Sequence, residues 1–431
     1  MKRIQVITLG CSKNVVDSEH LMPKLLARGY ALAPSAEDLS GGKVDEVLIN
    51  TCGFIKDAKE ESIQTILEAA DAKSRGFISK ISVFGCLSQR YGSELAAEIP
   101  EVDEWQGVMT FDSIERTLTT PRHYAFLKIA EGCDRRCSYC AIPLIRGPHV
   151  SVPMEKVLEE ARMLAAGGVK ELIVIAQDTT WYGLDLYGKR RLGTLLEKLS
   201  EIEGIEWIRI HYSYPDGFPD DVLKIMASNP KICNYIDIPL QHSEDAVLKA
   251  MRRSVDGAET RRLVEKFRRE VPGVVLRTTL MVGHPGEGDK EFESLLRFVE
   301  EYKFERLGAF TYSEEEGTYG ALHLKDSVPE EVKQERYERL MDTQSFISES
   351  FNLSRVGSTV RVVADRLEDG ILVCRSQSES PDVDGEILIK DNIQPGTFFD
   401  ARIIGADAYD LIAEKTPEQV GGDVSIASVG E

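Results

Sequence analysis

The sequence predicts an α/β protein built in three parts: a small parallel α/β sheet domain, a central partial (β/α) barrel, and a small antiparallel β-barrel. Three observations carry this reading. From the first residues, short apolar runs alternate with stretches of helical spacing, the pattern of strand–helix–strand units. Six further strand-like runs separated by helical segments fill the middle of the chain. Beyond about residue 356 the helical spacing stops, and closely spaced strand-and-turn segments take over.

The first part, residues 1–115, opens with the apolar run "RIQVITLG", followed by "VVDSEHLMPKLLARGY" with helical spacing. "EVLINTC" is the next strand, the charged "DAKEESIQTILEAADAKSRG" the next helix, and "KISVFGC" a third strand. Cys11, Cys52 and Cys86 each fall directly after one of these strands. In an open parallel sheet, ligands collect outside the carboxyl ends of the strands. Three thiols far apart in sequence are therefore expected at one edge; buried cysteines packing near turns are the alternative.

The second part, residues 120–355, repeats strand and helix through "AFLKIAEG", "ELIVIAQD", "WIRIHYSY", "YIDIPLQH", "VVLRTTLMVGHP" and "FERLGAFTYS". Such repetition predicts a (β/α) barrel, incomplete at six strands, with its active face at the strand carboxyl ends. Polar residues stand at those ends: Gln177 and Asp178; His211, Tyr212 and Ser213; Gln241 and His242; His284. Singly, each can cap a helix or fill a turn; together they read as a pocket rim. The helix "PEEVKQERYERLMDTQSFISESFNLSRVG" leads to the third part, residues 356–424, with strands "TVRVVAD", "GILVCRS", "GEILIKD", "TFFDARIIGA" and "DLIAEK". Residues 425–431 read as a loose tail. From Val356 onward there are 6 basic and 15 acidic side chains, a net of −9 (6 minus 15), which fits a basic protein partner better than a nucleic acid.

The whole chain carries a formal net charge of −20 over 431 residues, which argues against broad electrostatic capture of nucleic acid. One local exception, Lys249 to Glu270, has eight basic against four acidic residues and reads as a solvated helix face or a local basic site. No apolar run reaches 18 residues and the opening run is too short for a signal peptide, so a cytoplasmic protein with no membrane span is expected. Eight cysteines are too few for a disulfide scaffold in a chain of this size, and in that compartment their clustering points to metal or redox chemistry. Cys233 and Cys374 have no neighbours in sequence and read as structural.

The densest cluster is "KIAEGCDRRCSYCAIPLIRG", which places Cys133, Cys137 and Cys140 in a C-x3-C-x2-C array. A structural zinc site needs a fourth ligand, and His149, nine residues past Cys140, falls outside the usual spacing. Iron–sulfur clusters are also held by thiolates, usually four. A four-iron cluster held by three would leave one iron open to a cofactor or substrate. Lys128 and Arg146 flank this loop and suit either anionic groups or the surface.

This array, in a loop after the first barrel strand, resembles the radical S-adenosylmethionine enzymes. The resemblance implies a 4Fe–4S cluster on Cys133, Cys137 and Cys140 whose open iron binds S-adenosylmethionine, cleaved to a 5′-deoxyadenosyl radical. The three-part order resembles the methylthiotransferases within that family, whose small terminal β-barrel is the OB-like TRAM domain. Cys11, Cys52 and Cys86, with "INTCGF" and "VFGC", match the positions of a second 4Fe–4S cluster there. "LGCSKNVVDSEHL", "IRIHYSYP", "DIPLQHSEDAVLKAMRR" and "MVGHPGEGDKEFESLLRFV" resemble the RimO-type branch, which modifies an aspartate β-carbon in the twelfth protein of the small ribosomal subunit. That branch implies S-adenosylmethionine as both methyl donor and radical source. Its partners would be the ribosomal protein, or the small subunit carrying it, and a cellular electron donor, with no direct transfer-RNA substrate. Gly167, Gly168 and Glu171 in "AAGGVKELIV" resemble the family's glycine-containing cofactor region, and a helix end with its turn explains the glycines as well. Gln177, His211, Gln241 and His242 are the expected cofactor-side rim. A monomer is assumed. The competing readings are a transfer-RNA adenosine methylthiotransferase and, from another class, a non-catalytic iron–sulfur ribosome-binding factor.

Overall fold

The structure, a computed structural model, describes residues 1–34 and 38–417. Two compact units are present, one spanning Met1–Ile347 and one starting at Ser348.

The first unit contains two parallel sheets. β1 (Arg3–Thr8), β2 (Ala31–Ala33), β3 (Glu46–Thr51), β4 (Lys80–Gly85) and β5 (Glu104–Trp105) form the first, in the order β2-β1-β3-β4-β5. All its pairings are parallel. Helices α1 (Ser12–Ala27), α2 (Lys56–Ser74) and α3 (Cys86–Glu98) return the chain between strands. Every residue of β3 is buried, as expected of a central parallel strand covered on both faces. The three strands anticipated from sequence are the central ones. The edge strands β2 and β5, three and two residues long, are too short to show a period.

The second sheet is the partial barrel. β6 (Tyr124–Lys128) leads into the short antiparallel pair β7 (Ala130–Glu131) and β8 (Val150–Ser151), which brackets the Cys133–Cys140 loop. The loop runs on into α4 (Ile142–Arg146), and α5 (Met154–Ala166) follows β8. β9 (Glu171–Ile175), β10 (Trp207–Ile210), β11 (Ile232–Asp237), β12 (Val275–Val282) and β13 (Arg306–Thr311) complete a six-stranded sheet in the order β13-β12-β11-β10-β9-β6. Its ladders are all parallel. These are the six strands expected, two short of a closed eight-stranded barrel. Apolar residues of the strands and outer helices, among them Leu172, Ile208, Phe267, Leu280 and Phe292, form its continuous core. Cys233, on β11, is buried as expected of a structural cysteine. The helix Glu330–Ser354 is tied to this unit by Lys333 Nζ on Tyr312 O (3.1 Å) and Gln344 Nε2 on Phe304 O (2.9 Å).

The second unit closes a barrel from β14 (Thr359–Glu368), β15 (Ile371–Arg375), β16 (Ile387–Ile389), β17 (Phe398–Ala406) and β18 (Leu411–Lys415), in the order β14-β15-β16-β18-β17. The expectation of an antiparallel barrel needs one amendment: β16 and β18 pair in parallel. β17 lies against β14, so β18 must return through the remaining gap beside β16 to close the ring. Cys374 lies in the apolar centre of this barrel with Val362, Leu372 and Ile403. The expected tail, 425–431, lies outside the described residues.

The core makes a direct prediction. Phe267 is fully buried, with its ring 4.8 Å from that of Phe218, so Phe267→Ala should cost about 3–5 kcal/mol. Phe346 is 73% exposed, and Phe346→Ala should stay within about 0.5 kcal/mol of the parent. Denaturant unfolding followed by tryptophan fluorescence compares the two.

Candidate active site

Cys11 caps α1 after β1, Cys52 follows β3, and Cys86 opens α3 directly after β4. The registers Thr8↔Asn50 and Thr51↔Gly85 bring the carboxyl ends of β1, β3 and β4 level, which delivers the three cysteines to one edge. That convergence is tight enough to require glycine beside the thiols. At Gly10 (φ +87°) a Cβ would stand 2.7 Å from Cys52 Cβ; at Gly85 (φ +101°) it would stand 2.5 Å from Asn50 Oδ1. Asn14, on the first turn of α1, fixes the loops by donating to Leu9 O (2.7 Å) and Thr51 O (3.1 Å). Burial pushes the Cys52 thiol up to about 11, and the neighbouring sulfurs of Cys11 and Cys86 push the same way. Burial also raises Cys86, opposed by the Arg146 guanidinium beside it.

The second trio sits at the carboxyl end of β6. Cys133 N donates to Gly147 O (3.1 Å), Cys140 N to Cys137 O (3.2 Å) and Ser138 N to Met251 O (2.9 Å), so backbone bonds hold the loop at both ends and in the middle. The Ser138 hydroxyl lies 3.1 Å from His284 Nε2. Since His284 Nδ1 donates to Pro285 O (2.9 Å), Nε2 is the acceptor. Burial holds that ring neutral, down to about 4. Cys137 Sγ is 3.8 Å from Arg253 Nη1 and 3.9 Å from the Tyr214 hydroxyl. The Tyr214 ring is contacted by two guanidinium groups, Arg253 at 4.2 Å and Arg135 at 3.9 Å. Arg135 is in turn held by Asp178 (2.9 Å) and Asp216 (2.7 Å). Burial raises Cys133 to about 12 and lifts Cys140 further.

Both trios fit thiolate ligation of an iron–sulfur cluster. Cys52, Cys86, Cys133 and Cys140, which burial keeps neutral, give up their protons readily only when a cation takes their place. Among the described residues, no three Cys, His, Asp or Glu side chains are gathered as closely as one metal ion requires. Three thiolates without a fourth protein ligand suit a cluster that keeps one iron open better than a closed zinc site. His149, the zinc candidate, instead bonds Ser151 Oγ (3.1 Å) and packs edge-on against Trp181.

Between the trios lies a buried cluster of charge. Arg146 donates to Asp17 (3.1 Å) and to both Glu131 oxygens (3.0 Å each), to Asn14 Oδ1 (2.6 Å), and through Nε to Cys86 Sγ (3.4 Å). Lys128 pairs with Asp17 and with Glu131 (2.8 Å), and Gln177 Nε2 donates to Glu131 (2.6 Å). Paired with two cations, Glu131 is held well below the usual carboxylate range. Lys128 and Arg146 thus take the anion-facing role of the two that sequence allowed, with internal carboxylates as the anions.

Other expected residues fall elsewhere. Gly167, Gly168 and Glu171 lie at the amino end of β9, opposite the cysteine loop: Tyr124 pairs with Glu171, while Lys128, the last residue of β6, pairs with Ile175. Gly167 caps α5, Gly168 turns the chain at φ +101°, and Glu171 forms a fully buried pair with Arg209 (2.9 Å). Their expected cofactor contact is corrected to a structural role, because a helix end followed by a strand looks the same in sequence wherever it lies. His242 is fully buried, accepts from Glu244 N (3.1 Å) and faces Glu287 (3.3 Å), so it too is structural. His211 is stacked on Tyr235 and kept neutral by burial, down to about 3. Gln241 (φ +73°) joins its backbone to β12 through Thr279 O (2.9 Å) and Met281 N (2.8 Å). In the basic stretch, Lys266, Arg268 and Arg261 pair with Asp220, Glu305 and Glu244, as a solvated face does. Sequence reading missed Asn14, Asp17, Glu131, Arg135, Tyr214 and Arg253. The signal available for the first two was helical spacing from Cys11, which puts them on one face of α1.

A parallel partial barrel carrying a C-x3-C-x2-C loop at its carboxyl edge defines a radical S-adenosylmethionine enzyme, and residues 127–299 match the model of the radical SAM superfamily. Residues 3–107 match the uncharacterized protein family UPF0004 and residues 356–415 the TRAM domain. Among solved structures, the fold is similar to the radical S-adenosylmethionine methyltransferase TsrM from Kitasatospora setae (TM-score 0.50, 13% identity, 72% of this chain and 75% of that one). The chain is 51% identical to "Ribosomal protein uS12 methylthiotransferase RimO" of Bacteroides fragilis over 96% of its own length and 99% of that protein's. It is 52% identical to the protein of the same name in Flavobacterium johnsoniae, over 96% and 98% of the two chains. The chain belongs to the RimO family of ribosomal protein methylthiotransferases.

Glu171→Gln should destabilise the protein by about 3–5 kcal/mol by leaving Arg209 buried without its carboxylate, while S-adenosylmethionine affinity in calorimetry stays unchanged. His211 binds its proton only near pH 3, whereas an unfolded histidine does so near 6.5. Between those values the unfolded state carries the extra proton, so stability should fall as pH drops through that window. His211→Phe should make this limb shallower in urea titrations at successive pH values, with His20 and His284 supplying the remaining slope.

Proposed function

We propose that the protein inserts a methylthio group at the β-carbon of an aspartate in ribosomal protein uS12. The observation that carries the reading is the presence of two cysteine trios, each at the carboxyl edge of a parallel sheet, joined by one buried polar cluster. Cys133, Cys137 and Cys140 would hold one 4Fe–4S cluster, and Cys11, Cys52 and Cys86 a second. When bound, these groups and S-adenosylmethionine supply electron transfer, hydrogen abstraction from an unactivated carbon, and the sulfur and methyl that are transferred.

The chain's own contribution is placement and shielding. Arg253 bonds Pro239 O (2.6 Å), Tyr139 and Cys137, and no carboxylate among the described residues. It is therefore the cation beside the cysteine loop best able to meet a carboxylate of a bound cofactor. Tyr214, against Arg135 and Arg253, walls the Cys137 side with aromatic and cationic surface. The acidic last part, with a net of −9 (6 basic minus 15 acidic residues), suits a basic ribosomal protein and disfavours a transfer RNA. The remaining expectations, a cellular electron donor, a monomer and a cytoplasmic location, belong to the same proposal. No helix among the described residues is long and apolar enough to cross a membrane.

The test is anaerobic incubation of reconstituted protein with S-adenosylmethionine, a reductant and sulfide, offering ribosomal protein uS12 or adenosine-modified transfer RNA and weighing each product. A methylthio gain on the aspartate is expected; a gain on RNA alone would overturn the substrate. Replacing Cys133, Cys137 and Cys140 together by Ala should abolish cofactor cleavage while retaining iron at the first trio. Replacing Cys11, Cys52 and Cys86 together should spare cleavage and abolish methylthio transfer.

A further inference from the structure

Arg146 ends α4, six positions beyond Cys140, yet its guanidinium is spent in the other cysteine site. Only 2% of its side chain is exposed. Ala141 and Ile145 of the same segment pack against Cys86, so the helix that leaves the radical loop is seated on the first residue of α3. From this seat Nε donates to Cys86 Sγ at 3.4 Å, Nη2 to Asn14 at 2.6 Å, and Nη1 to Asp17 and Glu131. Glu131 lies two residues before Cys133, so one rigid group contacts a thiol of one trio and the strand that delivers the other.

The charges in this cluster cancel. Arg146 and Lys128 face Asp17 and Glu131, two cations against two carboxylates. At Cys86 Arg146 brings both a nearby charge and a directed N–H bond to sulfur, and a substitution that keeps the charge removes the bond alone. Hydrogen bonds to ligand sulfurs are among the factors that set an iron–sulfur cluster's reduction potential, because they stabilise the more electron-rich state. A lysine cannot reproduce them: it keeps the charge as a single point and loses the planar fork that reaches four partners at once.

We propose that Arg146 is a positioning residue of the Cys11–Cys52–Cys86 site, raising the reduction potential of the cluster bound there through its bond to Cys86 and fixing that site against the radical loop. This rests on the reading that the first trio holds a cluster.

The test uses the full chain with Cys133, Cys137 and Cys140 replaced by Ala, reconstituted with iron and sulfide and titrated potentiometrically by electron paramagnetic resonance. Arg146→Lys and Arg146→Gln should each shift the oxidised-to-reduced ratio at a fixed potential by about tenfold towards the oxidised form, the worth of one hydrogen bond from a charged donor. Arg146→Lys keeps the charge that Asp17 and Glu131 require, and so provides a folded variant should Arg146→Gln fail to fold. The same substitutions in a chain lacking Cys11, Cys52 and Cys86 should leave the radical-site potential in place. An unshifted Arg146→Lys protein overturns the inference, as does an equal shift in both backgrounds. Absence of iron and sulfide from the first background would instead overturn the two-cluster reading, and the inference with it.

Discussion

Burial holds two thiols of each cysteine trio neutral, Cys52 at about 11 with Cys86 beside it and Cys133 at about 12 with Cys140, and that constraint shapes the site around them. A donor set of this kind is poor at nucleophilic work on its own and well suited to a cation that displaces its protons. It also has to be built where backbone loops can approach one another closely and away from water. The carboxyl ends of parallel strands meet both demands, because strands in register present their following loops side by side. The glycines at 10 and 85 are the local cost of bringing those loops within van der Waals contact.

The same burial makes the charges between the two trios expensive, since each ion removed from water costs several kcal/mol after relaxation. Pairing offsets that cost here: Arg146, Lys128, Asp17 and Glu131 satisfy one another with the help of Asn14 and Gln177. A second buried group does similar work nearby. Arg116 is wholly buried between Glu19 of α1 and Glu160 of α5, and Thr119 donates to Glu19 through both its amide (2.6 Å) and its hydroxyl (2.9 Å). The segment joining the two sheets, where a boundary between residues 115 and 120 was expected, is thereby pinned to helices on either side. These contacts account for the single compact unit that contains both sheets.

Much of the architecture was legible before any coordinates. The inner barrel strands β9 and β10 are buried along their whole length, as parallel strands covered on both faces are, and the three cysteines after β1, β3 and β4 could be placed at one edge from their strand-end positions. The cofactor pocket was less legible. Gly167, Gly168 and Glu171 read as a pocket and proved to be a helix end and a structural ion pair, whereas Arg253, more than a hundred residues from Cys137, gave no sign of reaching it.

Sequence alone therefore determined the longer elements, their order and the two sets of thiols, because periodicity and strand-end position are local properties carried by neighbouring residues. Tertiary structure decided which charged and aromatic groups surround those thiols. Asn14 and Asp17 of α1, Glu131 of β7 and Arg146 of α4 come from three different segments and gain their roles only when two sheets pack together. No spacing along the chain encodes the direction in which a buried guanidinium will point.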